Sequence, residues 1–153
     1  LGVCGLLHDV GKQRVPPSIL TEEGGLTEEE WERIREHPID GARILLDSNP
    51  SLEMPAVVAY EHHMYGMDGG YPERSRRRPV HDATRLVQVC DIYDALRTHR
   101  PHRGALSNQE ALTLLEDEAG PEGPDPDLVA SLRELLESYD PRISVEEPGA
   151  LPS

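Results

Sequence analysis

His8-Asp9, His37, the adjacent pair His62 and His63, and Asp91 are imidazoles and carboxylates spread along one short chain. Side chains of these two kinds hold divalent cations through nitrogen and oxygen. With no thiolate among them they favour iron or manganese, although the ligand types also admit zinc. Neighbouring helical residues point about 100° apart, so His62 and His63 cannot both face one ion squarely. Two neighbouring ions resolve that conflict, and ligands drawn from facing helices are how helical proteins build di-metal cores.

The elements that must carry these residues read as helices. Thr27 and Glu30 form a capping box ahead of a helix through Trp31 and Ile34. Pro38 interrupts, leaving His37 at the break, and residues 39–46 continue as a second segment with Ile44, Leu45 and Leu46 turned inward. Residues 51–64 form a third helix ending on the paired histidines, and residues 82–98 a fourth with apolar side chains at helical spacing. Asp82 reads as the cap of that helix, which makes His81-Asp82 a decoy for a second metal motif. Ser107 with Glu110 caps a fifth helix, and Asp125-Pro126 opens the last, through Tyr139. Strand signals are nearly absent. Residues 10–26 and 67–80 read as two long loops, which in a compact domain are usually functional.

Length and composition bound the rest. A chain of 153 residues points to one domain, and folding at that size hides about 68–70% of the unfolded chain's surface. No apolar run reaches the roughly 18 residues of a membrane span. The net charge of −14 excludes a non-specific binder of nucleic acid polymers. Two cysteines are too few for a disulfide scaffold and fit a reducing cytoplasm. Residues 1–103 carry 17 acids and 13 bases, and residues 104–153 carry 12 acids and 2 bases. All seven histidines fall in the first stretch, so the chemistry belongs there. The opening on Leu1, in what reads as mid-helix, is taken as an N-terminal truncation. The expected organisation is a domain over residues 1–140 and a fraying, Pro-rich tail over residues 141–153.

His8-Asp9-Val10-Gly11-Lys12, His37-Pro38, His62-His63, Gly70-Tyr71-Pro72 and Asp91-Ile92-Tyr93-Asp94-Ala95-Leu96 together resemble the HD-GYP family of HD-superfamily phosphohydrolases, in order and in spacing. The resemblance implies an all-α, HD-superfamily helical bundle with two long functional loops. It implies His8, Asp9, His37, His62, His63 and Asp91 as ligands of two or three divalent ions, with Asp9 bridging. Two ions about 3.5–4 Å apart activate a water and neutralise both oxygens of an in-line phosphoryl displacement. Asp9 and Lys12, the only lysine in the chain, take catalytic roles in this scheme, and Lys12, Tyr71, Arg100 and Arg103 contact the substrate. The implied activity is hydrolysis of cyclic di-GMP to linear pGpG and on to GMP. Implied partners are an upstream regulatory domain, a diguanylate cyclase and a second copy of the chain.

The sequence departs from the family pattern in two places. Met64 follows the paired histidines where the family often has Glu, and Arg100-Pro101-His102-Arg103 lacks the usual tyrosine while keeping both bases. The altered loop keeps open another cyclic dinucleotide or nucleotide as substrate, and an alternative of a different class is a catalytically silent binding or docking module. Asp94 suits a hydrogen bond to a ligand better than ligation itself, and Cys4 reads as small apolar packing.

Overall fold

Residues 1–22, 24–67, 69–73, 78–99 and 104–139 are described by a computed structural model. Each helix begins where the local chemistry starts one. Glu30 N–H donates to Thr27 Oγ1, and Thr27 N–H donates to the Glu30 carboxylate at 2.8 Å, which closes the capping box of α3 (Glu28–Arg35). Only Glu36 separates α3 from α4 (His37–Ser48), whose second residue, Pro38, needs no backbone donor there. Ahead of them lie α1 (Gly2–Leu7), a 3-10 turn over Val10–Arg14 and the one-turn α2 (Pro17–Leu20). After them come a 3-10 turn over Pro50–Leu52 and α5 (Glu53–Glu61).

Three expectations about the elements are corrected, as is one about burial. Residues 10–26 are not wholly irregular, because Pro17 presets the dihedral that starts α2 and Val10–Arg14 coils. The third helix stops at Glu61, and the chain turns back in a two-residue antiparallel ladder, β1 (Met64–Tyr65) on β2 (Gly69–Gly70), with Met64 opposite Gly70. Two glycines at positive φ, Gly66 at 51° and Gly70 at 76°, make that reversal, and apolar–polar alternation cannot announce a ladder this short. At α6 (Asp82–Arg97) the cap is His81, whose Nδ1 accepts from Ala83 N–H, while Asp82 pairs with Arg85.

The chain divides between Gln88 and Val89, within α6, into two units. In the first, Leu45 packs with Ala56 and Ala59 to join α4 to α5, and Cys4 packs with Val58, Ala83 and Val87. Of the apolar run on α4, Leu45 is buried but Leu46 is exposed. In the second unit, α7 (Asn108–Glu118) and α8 (Pro126–Tyr139) surround a core of Val89, Leu115 and Val129. Ser107 and Asp125 cap these helices as their sequence predicts. Among the described residues the fold is all-α apart from the small ladder, and no helix is long and apolar enough to cross a membrane.

Candidate metal centre

Three histidines stand at helix C-terminal ends, where the last carbonyls have no partner within the helix. His8, following α1, directs Nδ1 at Gly5 O at 2.7 Å. His37, just past α3, directs Nδ1 at Ile34 O at 2.7 Å, and His62, capping α5, directs Nδ1 at Ala59 O at 2.8 Å. A carbonyl oxygen only accepts, so each Nδ1 carries a proton, and in the neutral tautomer that this selects the ring turns a lone pair outward from Nε2.

Those lone pairs converge. His37 Nε2 and His62 Nε2 lie 3.0 Å apart, and Asp9 Oδ1 sits 3.3 Å from the first and 3.5 Å from the second. Oδ1 is buried, and neither contact reaches hydrogen-bond geometry. Ligand atoms of Asp9, His37, His62 and His63 all fall within 4.8 Å of one another. His8 Nε2 is 3.5 Å from Asp9 Oδ2, and the His8 and His62 rings meet edge-on at 5.0 Å. Acceptors facing acceptors in a buried site repel unless something positive lies among them. Burial also pushes the His62 pKa down, with the neighbouring His37 and His8 acting the same way against Asp9, so protonation does not readily supply that charge. The donor set therefore fits a divalent cation.

Asp9 is held from two sides. Burial would raise its carboxyl, but its neighbours, the Lys12 ammonium among them, outweigh that and keep it well below the usual carboxylate range. With both rings protonated on Nδ1, the dependable donor is Lys12, whose Nζ lies 2.5 Å from Oδ2. The 3-10 turn bearing Asp9 and Lys12 rests directly on α4. A methyl group added at Gly11 would come 1.9 Å from His37 O and 2.6 Å from Gly41 N. Asp40 locks the same seam by accepting from Arg14 Nη1 at 3.1 Å, with Arg33 Nη1 at 3.5 Å.

Tyr71 is brought to the site by the ladder. Its N–H donates to His63 O at 3.0 Å, and its ring stacks on His63 with centroids 4.5 Å apart and planes 23° apart. A methyl group on Gly70 would meet that same His63 oxygen at 1.9 Å. The Gly-Tyr-Pro turn thus closes against the paired histidines, a contact that its sequence does not reveal.

The first unit therefore brings together His8, Asp9, Lys12, His37, His62, His63 and Tyr71. Asp91 lies on α6 in the second unit, and Arg100 and Arg103 lie outside the described residues. Sequence reading missed Asp40, Glu61 and Gln88, which are buried polar residues on helices. Nothing in their spacing marks them, because their partners are distant in the chain.

A family model described as HD domain matches residues 1–128. A cyclic di-GMP phosphodiesterase of Pseudomonas aeruginosa is 36% identical over 116 residues, covering 76% of this chain and 28% of that protein. One from Thermotoga maritima is 36% identical over 115 residues, covering 74% and 31%. A 3'3'-cGAMP-specific phosphodiesterase of Vibrio cholerae is 33% identical over 134 residues, covering 87% and 28%. The chain spans less than a third of the length of these relatives. With a match over most of its length and relatives at this identity, the chain belongs to the HD domain family, in the HD-GYP branch that its Gly-Tyr-Pro turn marks.

Proposed function

We propose that this domain is a metal-dependent phosphodiesterase that opens cyclic di-GMP to linear pGpG and on to GMP. The observation that carries the reading is the convergence of the Asp9 carboxylate with imidazole nitrogens of His37, His62 and His63 inside 4.8 Å. His8 joins as a ligand through its contact with Asp9, and Asp91 is carried by its motif alone. Iron or manganese suits these ligands best.

Divalent ions in such a site supply Lewis acidity toward a phosphate oxygen and lower the pKa of a water. The protein's own residues do the remainder. The chemical step adds water across one P–O bond: its oxygen joins phosphorus, and a proton goes to the departing ribose 3' oxygen. Lys12, tethered to Asp9, offers its ammonium to the scissile phosphate and neutralises charge as that oxygen leaves. Tyr71 borders the same site and is the residue for contact with a base, while Arg100 and Arg103 are proposed to pair with the phosphates. A cytoplasmic location follows from that substrate, and an upstream regulatory segment, a cyclase partner and a homodimer rest on the family resemblance.

The relative that covers 87% of this chain is named for 3'3'-cGAMP, which favours that mixed dinucleotide as the second reading. Chromatographic turnover assays with Mn²⁺ or Fe²⁺ on both dinucleotides separate the two. Asp9→Asn and His62→Ala are expected to lower turnover by at least about 10³-fold, with helical circular dichroism unchanged. Bound metal with hydrolysis of neither dinucleotide sinks both of these readings and leaves another nucleotide substrate or a binding module.

A further inference from the structure

Two adjacent helical histidines diverge, so both can serve one centre only if the backbone after α5 leaves the helix at a defined angle. The structure holds that stretch at three consecutive carbonyls. His63 O accepts from Tyr71 N–H at 3.0 Å. The carbonyls on either side, His62 O and Met64 O, both accept from Gln88 Nε2, at 3.2 and 2.5 Å. Gln88 is 3% exposed, and its amide spends both hydrogens on the segment that carries the paired ligands. Thr84, one turn earlier on α6 and fully buried, donates its hydroxyl to the Glu61 carboxylate at 3.1 Å. The same Glu61 oxygen accepts from His81 N–H at 2.9 Å, and its other oxygen meets Arg78 at 2.7 Å. A buried polar stripe on α6 thus grips the end of α5 immediately before His62 and again at the carbonyls on either side of His63.

We propose that Gln88 is a positioning residue of the metal centre: by bridging the carbonyls of His62 and Met64, it sets the direction in which the His62 and His63 rings present their nitrogens. A residue needed only to fill space between Val87 and Val89 requires no amide. The proposal rests on the metal reading above, and the experiment separates the two.

Mn²⁺ affinity is measured by electron paramagnetic resonance, and the Co²⁺ d–d spectrum recorded, at a temperature where every variant is folded. Gln88→Met keeps the volume and removes the donors. It is expected to bind 10- to 100-fold more weakly, about the loss typical of groups that orient metal ligands, with an altered Co²⁺ spectrum. Gln88→Glu is expected to bind more weakly as well, although its added negative charge by itself favours a cation. Leu115→Val, in the core of the second unit, provides a destabilised control with unchanged affinity. Wild-type affinity in Gln88→Met, with melting lowered as in the control, overturns the proposal while the metal reading stands. A wild-type protein that binds no ion overturns both. Should Gln88→Met fail to fold, nitrogen-15 spectra of the wild-type protein decide. The Gln88 side-chain amide is expected to be slow in solvent exchange and to shift on adding Zn²⁺, and an unshifted, fast-exchanging amide overturns the proposal.

Discussion

His8, His37 and His62 repeat one local solution three times: each stands where a helix ends and gives its Nδ1 proton to the carbonyl three residues back. The carbonyl near the helix end thereby gains a side-chain donor, and the ring gains a fixed tautomer. Burial holds His62 below its ordinary pKa of 6.5, so between its folded and unfolded values the folded protein binds fewer protons. The contribution of His62 to the stability of the metal-free protein is therefore full above about pH 6.5 and is lost as the pH drops below that. The urea midpoint is expected to be higher at pH 7.5 than at pH 5.5. Gly11→Ala is expected to cost at least about 2 kcal/mol in urea unfolding, because its methyl group has no space against His37 O. The candidate ligands stood out in the sequence because histidines are few, seven in all, and His8, His37, His62 and His63 fall in ordered motifs. Gln88 and Glu61 did not, since nothing about a glutamine or a glutamate states whether its partners lie in water or across 20 residues of chain.

Helix starts were legible for a related reason: a cap is chemistry between residues two or three apart. Thr27, Ser107 and Asp125 all cap as read. Ser107→Ala is expected to lower stability by about 1 kcal/mol, and Ser107→Gly by less, measured by chemical denaturation. His81 shows where such reading fails. Asp is the commoner cap, but the Glu61 carboxylate fixes the His81 backbone, and the imidazole takes the capping position. The β1–β2 ladder was missed because two residues per strand carry no period, and two positive-φ glycines alone shape the turn. Where elements meet without side chains between them, as the Val10–Arg14 turn meets α4, the contact is likewise invisible in composition.

At the scale of the molecule, charge and length excluded classes of function, and the order of motifs along the first two-thirds of the chain indicated the family. A ligand that binds only the folded state stabilises it by RT ln(1 + [L]/Kd), about 2.7 kcal/mol at a hundredfold excess over Kd. Stripping ions with a chelator is therefore expected to lower the melting temperature of the loaded protein, and Mn²⁺ is expected to restore it. The same treatment of Asp9→Asn is expected to change little, and calorimetry reads both. The Gly11 seat has a wider consequence. Because main chain touches main chain there, no substitution can act as a spacer between the aspartate and the first imidazole. The spacing of Asp9 from His37 is therefore set by backbone contact and not by the size of any side chain.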